Sequence, residues 1–429
     1  MVRIRRYVYF RSIGFACALF ACVIFVCVFK CDVTSKLMSK RLLIPRVVES
    51  IQAVSASSWD ACANPETSCS LTDEESFNPF LSHSYLKALE LSGSVGPLSG
   101  WVPRYLTIND QSGKLLACAP TYLKSHSFGE YVFDFMWAQA YAAYGGAYYP
   151  KLQVAVPFTP VTGRRLLVLS QSDSEVMNFL IERLKILNQS SNSSSIHITF
   201  CSLLDAVRLQ DRDFIMRVGE QFHFINKNFS NFDEFLAELT ARKRKLIKRE
   251  RREACRQGIE IERLTGKDIQ DIHLEAMYNF YIATNMKKQG RPYLTKDFFS
   301  IIFSEMRDRL LLVMAKRSND YVAGAINFLG DKAVYGRYWG SKEEIPFLHY
   351  EVCYYQAIEF AINNGYRRVE AGAQGEHKIA RGYQPVKIYS AHIFQDLALN
   401  SAVREYVERE KQLLESIIQN QKSALPFRI

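Results

Sequence analysis

One helix-and-hairpin unit is written twice in this chain, and that repetition limits the fold more than any other feature. The first half reads "NPFLSHSYLKALE" and then "RYLTINDQSGKLLACAPTYLKSHSFGEYVFD"; the second reads "RPYLTKDFFSIIFSEM" and then "LLLVMAKRSNDYVAGAINFLGDKAVYGRYWG". Each starts with Pro-aromatic-Leu-Ser/Thr and leads into an amphipathic helix. A strand, a polar turn, a longer strand with a pair of small residues and an aromatic-rich strand follow. Pro79, Leu81 and Tyr85 align with Pro292, Leu294 and Phe298 at one constant offset, and Ala117, Ala119 and Leu123 with Ala323, Ala325 and Leu329 at another. Self-similarity over a whole unit implies duplication, so two copies of one α/β (α+β) module are expected.

At 429 residues the chain is long enough for two such modules, each with its own core. The reading divides it into a basic, apolar N-terminal segment (1–45), a first module (46–225), a connecting basic helix (226–258), a second module (259–398) and a helical tail (399–429). "LNQSSNSSS" (187–195) reads as a flexible polar loop within the first module. Asn231 can cap a helix that begins at Phe232, carries Asp233 and Glu234 in its first turn, and stops at Gly258. Pro346 opens a second helix, closed by Gly365, and "VKIYSAHIF" is a last strand.

The net charge of +10 is concentrated in two places. The first 50 residues hold nine Lys/Arg against two acids, and "RKRKLIKRERRE" (242–253) holds eight against two; the rest carries 37 basic and 40 acidic residues. The basic dozen falls in the C-terminal half of the expected connecting helix, where cations face the negative end of the helix dipole. A solvated or phosphate-facing surface suffices to explain it. Lys243, Arg244, Lys248 and Arg252 are the candidates for a nucleic-acid backbone, and no motif for reading DNA bases is present. The ten cysteines show neither CxxC nor a neighbouring His at ligand spacing, so no metal site is expected, and they read as reduced thiols of a cytoplasmic-type compartment. "SIGFACALFACVIFVCVF" (12–29), with four arginines before it, has the length of a membrane anchor; a transit peptide or a mis-called start are the alternatives.

Several stretches together resemble a known family. "NPFLSHSYLKALE", "PKLQVAVPFTPVTGRRLL", "RKRKLIKRERREA", "GRPYLT", "YGRYWG", "FLHYEVCYYQAIEFA" and "EAGAQGEHKIARGY" are similar to FemAB-like proteins of the GNAT acyltransferase superfamily, in the branch of predicted N-acyltransferases and peptidoglycan biosynthesis/recognition proteins. The resemblance covers roughly residues 50–395. It implies tandem GNAT-like domains and transfer of an acyl or aminoacyl group to an amine of a small molecule or cell-envelope precursor. The donor would be acyl-CoA, as a co-substrate and not a tightly bound cofactor, or aminoacyl-tRNA. A non-catalytic peptidoglycan-recognition module is the rival reading. The chain departs from ordinary GNAT enzymes in lacking a clean Gln/Arg-x-x-Gly-x-Gly/Ala loop for the CoA pyrophosphate.

Acyl transfer to an amine needs a base for the incoming ammonium and donors for the developing oxyanion. "EAGAQGEHKIARGY" concentrates the required groups. Gly372 and Gly375 permit close approach of backbone to a cofactor phosphate, Gln374, Lys378 and Arg381 suit an anionic group, and Glu376 or His377 suits the proton. At the mouth of the expected cleft, "GRYWG" offers Arg337 and Trp339, and "PFLHYE" offers His349 for binding or Glu351 for catalysis. In the first module Lys151, Gln153, Thr162 and Arg164 are candidates for substrate binding.

Overall fold

The computed structural model describes residues 41–65, 77–256, 258–287, 290–372 and 375–428, with the side chain of Glu376 left aside. The candidate anchor at 12–29 and Gln374 lie outside the described residues. No described helix is long and apolar enough to cross a membrane.

From the amino end run β1 (Ile44–Val48), α1 (Ala56–Ala63), α2 (His83–Leu91), β2 (Trp101–Pro103), β3 (Tyr105–Asn109), β4 (Leu115–Ala119), β5 (Thr121–Lys124), α3 (Phe135–Ala143), β6 (Lys151–Val154), β7 (Leu167–Val168), α4 (Ser174–Ser190), β8 (Ser195–Cys201), α5 (Leu203–Gln210) and β9 (Ile215–Ile225). The chain passes through α6 (Phe232–Glu238) and α7 (Ala241–Ala254) into β10 (Ile259–Thr265), α8 (Asp271–Lys287), α9 (Lys296–Glu305), β11 (Leu310–Arg317), β12 (Asp320–Leu329) and β13 (Ala333–Ser341). It ends with α10 (Leu348–Tyr350), α11 (Gln356–Asn363), β14 (Arg368–Glu370), β15 (Gln384–Phe394) and α12 (Leu397–Ser423).

The order and pairing of these elements repeat. β10 lies antiparallel to β11 and β11 to β12, as β1 does to β3 and β3 to β4. Each copy then has one parallel pair, β6 with β8 and β13 with β14. The closing strands, each of eleven residues, change places: β9 pairs with β14 of the second copy and β15 with β8 of the first, while β9 and β15 lie antiparallel to each other. The exchange joins both copies into one eleven-stranded sheet, β10-β11-β12-β13-β14-β9-β15-β8-β6-β5-β2, and each parallel pair loses the open edge it would otherwise expose. A four-stranded sheet, β1-β3-β4-β7, completes the first copy.

The aligned residues meet. Ser82 accepts from the Tyr85 amide and Thr295 from the Phe298 amide, so α2 and α9 start with the same cap. Tyr85 and Phe298 then pack edge to face across the two copies, with ring centroids 5.7 Å apart, and Phe80 lies 4.8 Å from Phe328. The copies differ at Pro120. Where β12 runs ten residues unbroken, the first copy breaks into β4 and β5, which join different sheets, because proline has no N–H for a ladder.

Three expectations need correction. The connecting helix is two helices, not one. Asn231 does cap the first, its Oδ1 accepting from the Glu234 amide at 2.9 Å, but Leu239 is extended and pairs with Phe427, and the Thr240 amide donates to the Pro426 carbonyl at 2.9 Å. A tail segment distant in sequence therefore breaks the helix. The polar stretch 187–195 is mostly structured: α4 continues through Ser190, with Leu187 and Asn188 buried, and β8 begins at Ser195. The helix expected from Pro346 starts later, after Phe347 in the left-handed region (φ 64°), and widens into a π turn over Glu351–Tyr355.

Candidate functional site

β13 and β14 run side by side for three residues, Ala333–Tyr335 against Arg368–Glu370, and then part. β13 continues along β12, while the other chain leaves through Ala371 and Gly372, the latter at φ 77°. The turn that follows closes as a short helical segment, Glu376–Arg381, which brings Lys378 back into the opening. Its Nζ donates to the carbonyls of Ala371 at 2.7 Å and Gly372 at 3.2 Å. An ammonium has three donors, so one N–H is left over. Lys378 is 4% exposed, and burial pushes its pKa down to about 8, with the Cys353 thiol a lesser opposing influence.

Lys378 and Ala371 line a cavity of about 670 Å³ at the seam of the exchanged strands. β9 contributes Arg217–Glu220, β15 contributes Ile388–Ser390, the 127–135 segment supplies one wall and α12 another. The cleft is thus shared by both copies. Arg217 is closed off by Glu410, two bonds of 2.7 Å, and by the Phe133 carbonyl.

Two serines of the cavity wall, Ser127 and Ser390, belong to one buried polar network. Ser390 Oγ lies 2.8 Å from His392 Nε2, whose Nδ1 is 2.8 Å from His197 Nδ1. His197 Nε2 in turn approaches Ser195 Oγ at 2.8 Å and the Tyr148 hydroxyl at 3.4 Å, and that hydroxyl donates to Asp134. Lys151 binds Asp134, Glu130 (2.7 Å) and Ser127 (2.8 Å). Burial, with Lys151 and Arg217 nearby, lowers both imidazoles, His197 to about 3, so they are neutral and each nitrogen can either donate or accept. Burial, reinforced by Lys151, brings Lys124, on the far side of Glu130, down to about 7. Sequence spacing carries no sign of this network, since its members come from four strands and two loops.

The remaining expected residues divide by location. Arg381 is 5% exposed and is held by Glu250 (2.7 and 3.1 Å) and the His377 carbonyl, so it does not share an anion with Lys378. His377 is exposed, hydrogen-bonded to Tyr354 at 3.1 Å, and lowered by burial and by Arg381. Glu351, in the π turn, is 1% exposed and bound by Arg251 and Gln356. Arg337 is half-buried and donates to the Phe158 carbonyl at 2.6 Å. Trp339 and His349, with ring centroids 5.1 Å apart, line a separate cavity of about 430 Å³. Lys151, Gln153 and Arg164 lie inside the first copy: Lys151 in the ion cluster, Gln153 on Thr199 at 2.9 Å, and Arg164 on the Cys62 and Ala63 carbonyls. The Thr162 carbonyl accepts from Asn78. Gly375, like Gly372, has positive φ, at 108°. On α7 the inward stripe is Ile247, Glu250, Arg251 and Ala254; Lys248 and Arg252 are exposed, and Lys243 and Arg244 half-buried. No group of three or more metal-ligating side chains occurs among the described residues.

The topology is doubled, and the cavity lies at its exchanged strands. The model of the FemAB-like family, described as peptidoglycan biosynthesis/recognition, matches residues 50–429. The chain belongs to the FemAB-like family. Its fold is mixed α/β and doubled, as the repeat led one to expect, and the tandem GNAT type is what the family resemblance implied. Among solved structures it is similar to FemX, at 13% identity over 84% of this chain and 100% of that one, with a TM-score of 0.50. It is also similar to the C-terminal domain of a putative lysylphosphatidylglycerol synthetase from Agrobacterium fabrum (10% identity, 77% and 92% covered, TM-score 0.48). A conserved protein of unknown function from Bacteroides thetaiotaomicron gives 12% identity, 82% and 100% covered, and a TM-score of 0.48. At such identity the likeness to FemX is one of fold. No curated protein matches the sequence.

Proposed function

We propose that this FemAB-like protein transfers an acyl or aminoacyl group to an amine of a small molecule or cell-envelope precursor, and that the reaction takes place in the cavity at the strand exchange. The observation that carries the reading is Lys378, a buried ammonium fixed by two carbonyls beside a large cavity. When the amine attacks the carbonyl carbon, a C–N bond forms and the oxygen takes up negative charge. A preorganised N–H stabilises that charge without rearrangement. Collapse breaks the bond to the leaving oxygen or sulfur, which takes a proton. The ammonium of the acceptor must first lose one, to solvent or to Glu376 or His377, the acceptors expected from the sequence.

The donor is acyl-CoA or aminoacyl-tRNA. The exposed cations of α7, Lys248 and Arg252 among them, favour the second, since a phosphate backbone binds such a surface without base contacts. Incubating the full chain with labelled acyl-CoA or charged tRNA and a set of amine acceptors tests the reading. Amide formation that is lost in Lys378→Met supports it. Binding of a peptidoglycan fragment with no turnover from either donor would establish the non-catalytic recognition role instead.

A further inference from the structure

The cavity's wall changes character from floor to mouth. Its floor carries Lys378, Ser390 and Ser127, which are 4%, 4% and 6% exposed. Its mouth carries Phe128, Phe133, Phe135, Leu413 and Ile417, exposed by 57%, 64%, 40%, 65% and 38%. Five large apolar side chains in solvent around one opening are unfavourable unless something apolar lies along them. The charges higher in the wall are already engaged: Arg217 with Glu410, and Glu220 through one oxygen with Gln421. The ammonium at the floor has two carbonyl partners and a spare donor, and no carboxylate among the described side chains neutralises it. A polar anion alone would leave the rim bare, and a hydrocarbon alone would leave the ammonium unpaired.

We infer that the cavity binds a single-chain amphiphile, with its carboxylate, phosphate or activated carbonyl end at Lys378 and its hydrocarbon chain running past Phe133, Phe135 and Leu413 to solvent. About 670 Å³ is the size of pocket that encloses most of a drug-sized ligand, so a chain of roughly a dozen carbons fits within it. The inference names the substrate class of the site proposed above, and it rests on that site being the reaction centre only for its biological meaning. The binding itself can be measured without turnover.

The test is a calorimetric titration of the full chain with dodecyl phosphate and with dodecanoate, each below its micellar concentration, and with inorganic phosphate and acetate. Saturable one-to-one binding of at least one dodecyl compound is expected, at least tenfold tighter than its short counterpart. Leu413→Asp, on an exposed residue that leaves the core intact, should weaken that binding tenfold or more, and Lys378→Met should do the same in a variant that still unfolds in one cooperative step. The stronger of the two heads identifies the anion. No saturable binding of either dodecyl compound, equal binding of the short ions, or binding indifferent to Leu413→Asp would overturn the inference. Transfer from a short-chain donor to a chainless amine, with no saturable binding of either dodecyl compound, would leave the acyltransferase reading standing while this one falls; chain binding without any transfer would do the reverse.

Discussion

Replacing Lys151 with Met offers the sharpest test of how the first copy is held together. The ammonium is fully buried between Glu130 and Asp134, which are themselves 4% and 2% exposed. Removing one member of a buried ion cluster leaves uncompensated charge and costs about 3–5 kcal/mol. The pH dependence follows from the carboxyls. In the native protein burial by itself would raise Asp134, but Lys151 and His197 outweigh it and hold the carboxyl at about 2, below its ordinary 3.8. That contribution is present above 3.8 and is lost as the pH falls through about 2. Glu130 is pushed up by burial even with two lysines beside it. Without Lys151 the burial is largely unopposed, so the carboxyls titrate above their unfolded values. The penalty is then full above the raised native values and shrinks on acidification towards the unfolded ones, by up to about 1.4 kcal/mol per pH unit for each proton taken up. Urea unfolding at pH 7.5 and pH 5.0 measures this directly. Lys151→Met should cost about 3–5 kcal/mol at the higher pH and clearly less at the lower. Adding Glu130→Gln and Asp134→Asn should recover much of the loss. A cost below about 1 kcal/mol, or one equal at the two pH values, would refute the reasoning.

Tyr85→Ala and Phe298→Ala should each destabilise by about 3–5 kcal/mol. Because the two rings touch, the double variant should fall short of the sum by about 0.5–1.5 kcal/mol, as read by a double-mutant cycle in urea. Ending the chain at Ala424 removes the partners of Leu239 and Thr240, so the amides of 239–241 should exchange faster with deuterium while those of β9 and β15 keep their protection. Changing Lys243, Arg244, Lys248 and Arg252 together to Gln should abolish retention of tRNA at low salt and leave the unfolding midpoint nearly unchanged. Glu250→Gln, which strips Arg381 of its buried carboxylate, should do the opposite: a loss of about 3–5 kcal/mol with tRNA retention preserved.

The repeat, and with it the kind of fold, was legible in the chain itself. Pro79/Pro292 and Tyr85/Phe298 mark equivalent turns and helices because caps and apolar spacing act over three or four residues, and a sequence records interactions of that range. Lys378 as a candidate cation was legible for the same reason, since a short strand, a glycine turn and a lysine lie within a dozen positions; that it lines a cavity while Arg381 is held by Glu250 was not. Partnerships across long distances were not. Nothing local in "RKRKLIKRERRE" separates Glu250 and Arg251, which are engaged with Arg381 and Glu351, from Lys248 and Arg252 in solvent. Nothing local foretells that Phe427 will interrupt a helix at Leu239, or that β9 and β15 will trade sheets. His197 and His392 are 195 positions apart yet share a hydrogen bond of 2.8 Å. The sequence by itself determined most of the segments that become helix and strand and that one unit occurs twice. Only the tertiary structure decided which charges are buried and where the two copies enclose a cavity, because burial and pairing depend on segments that the chain brings together after its local structure has formed.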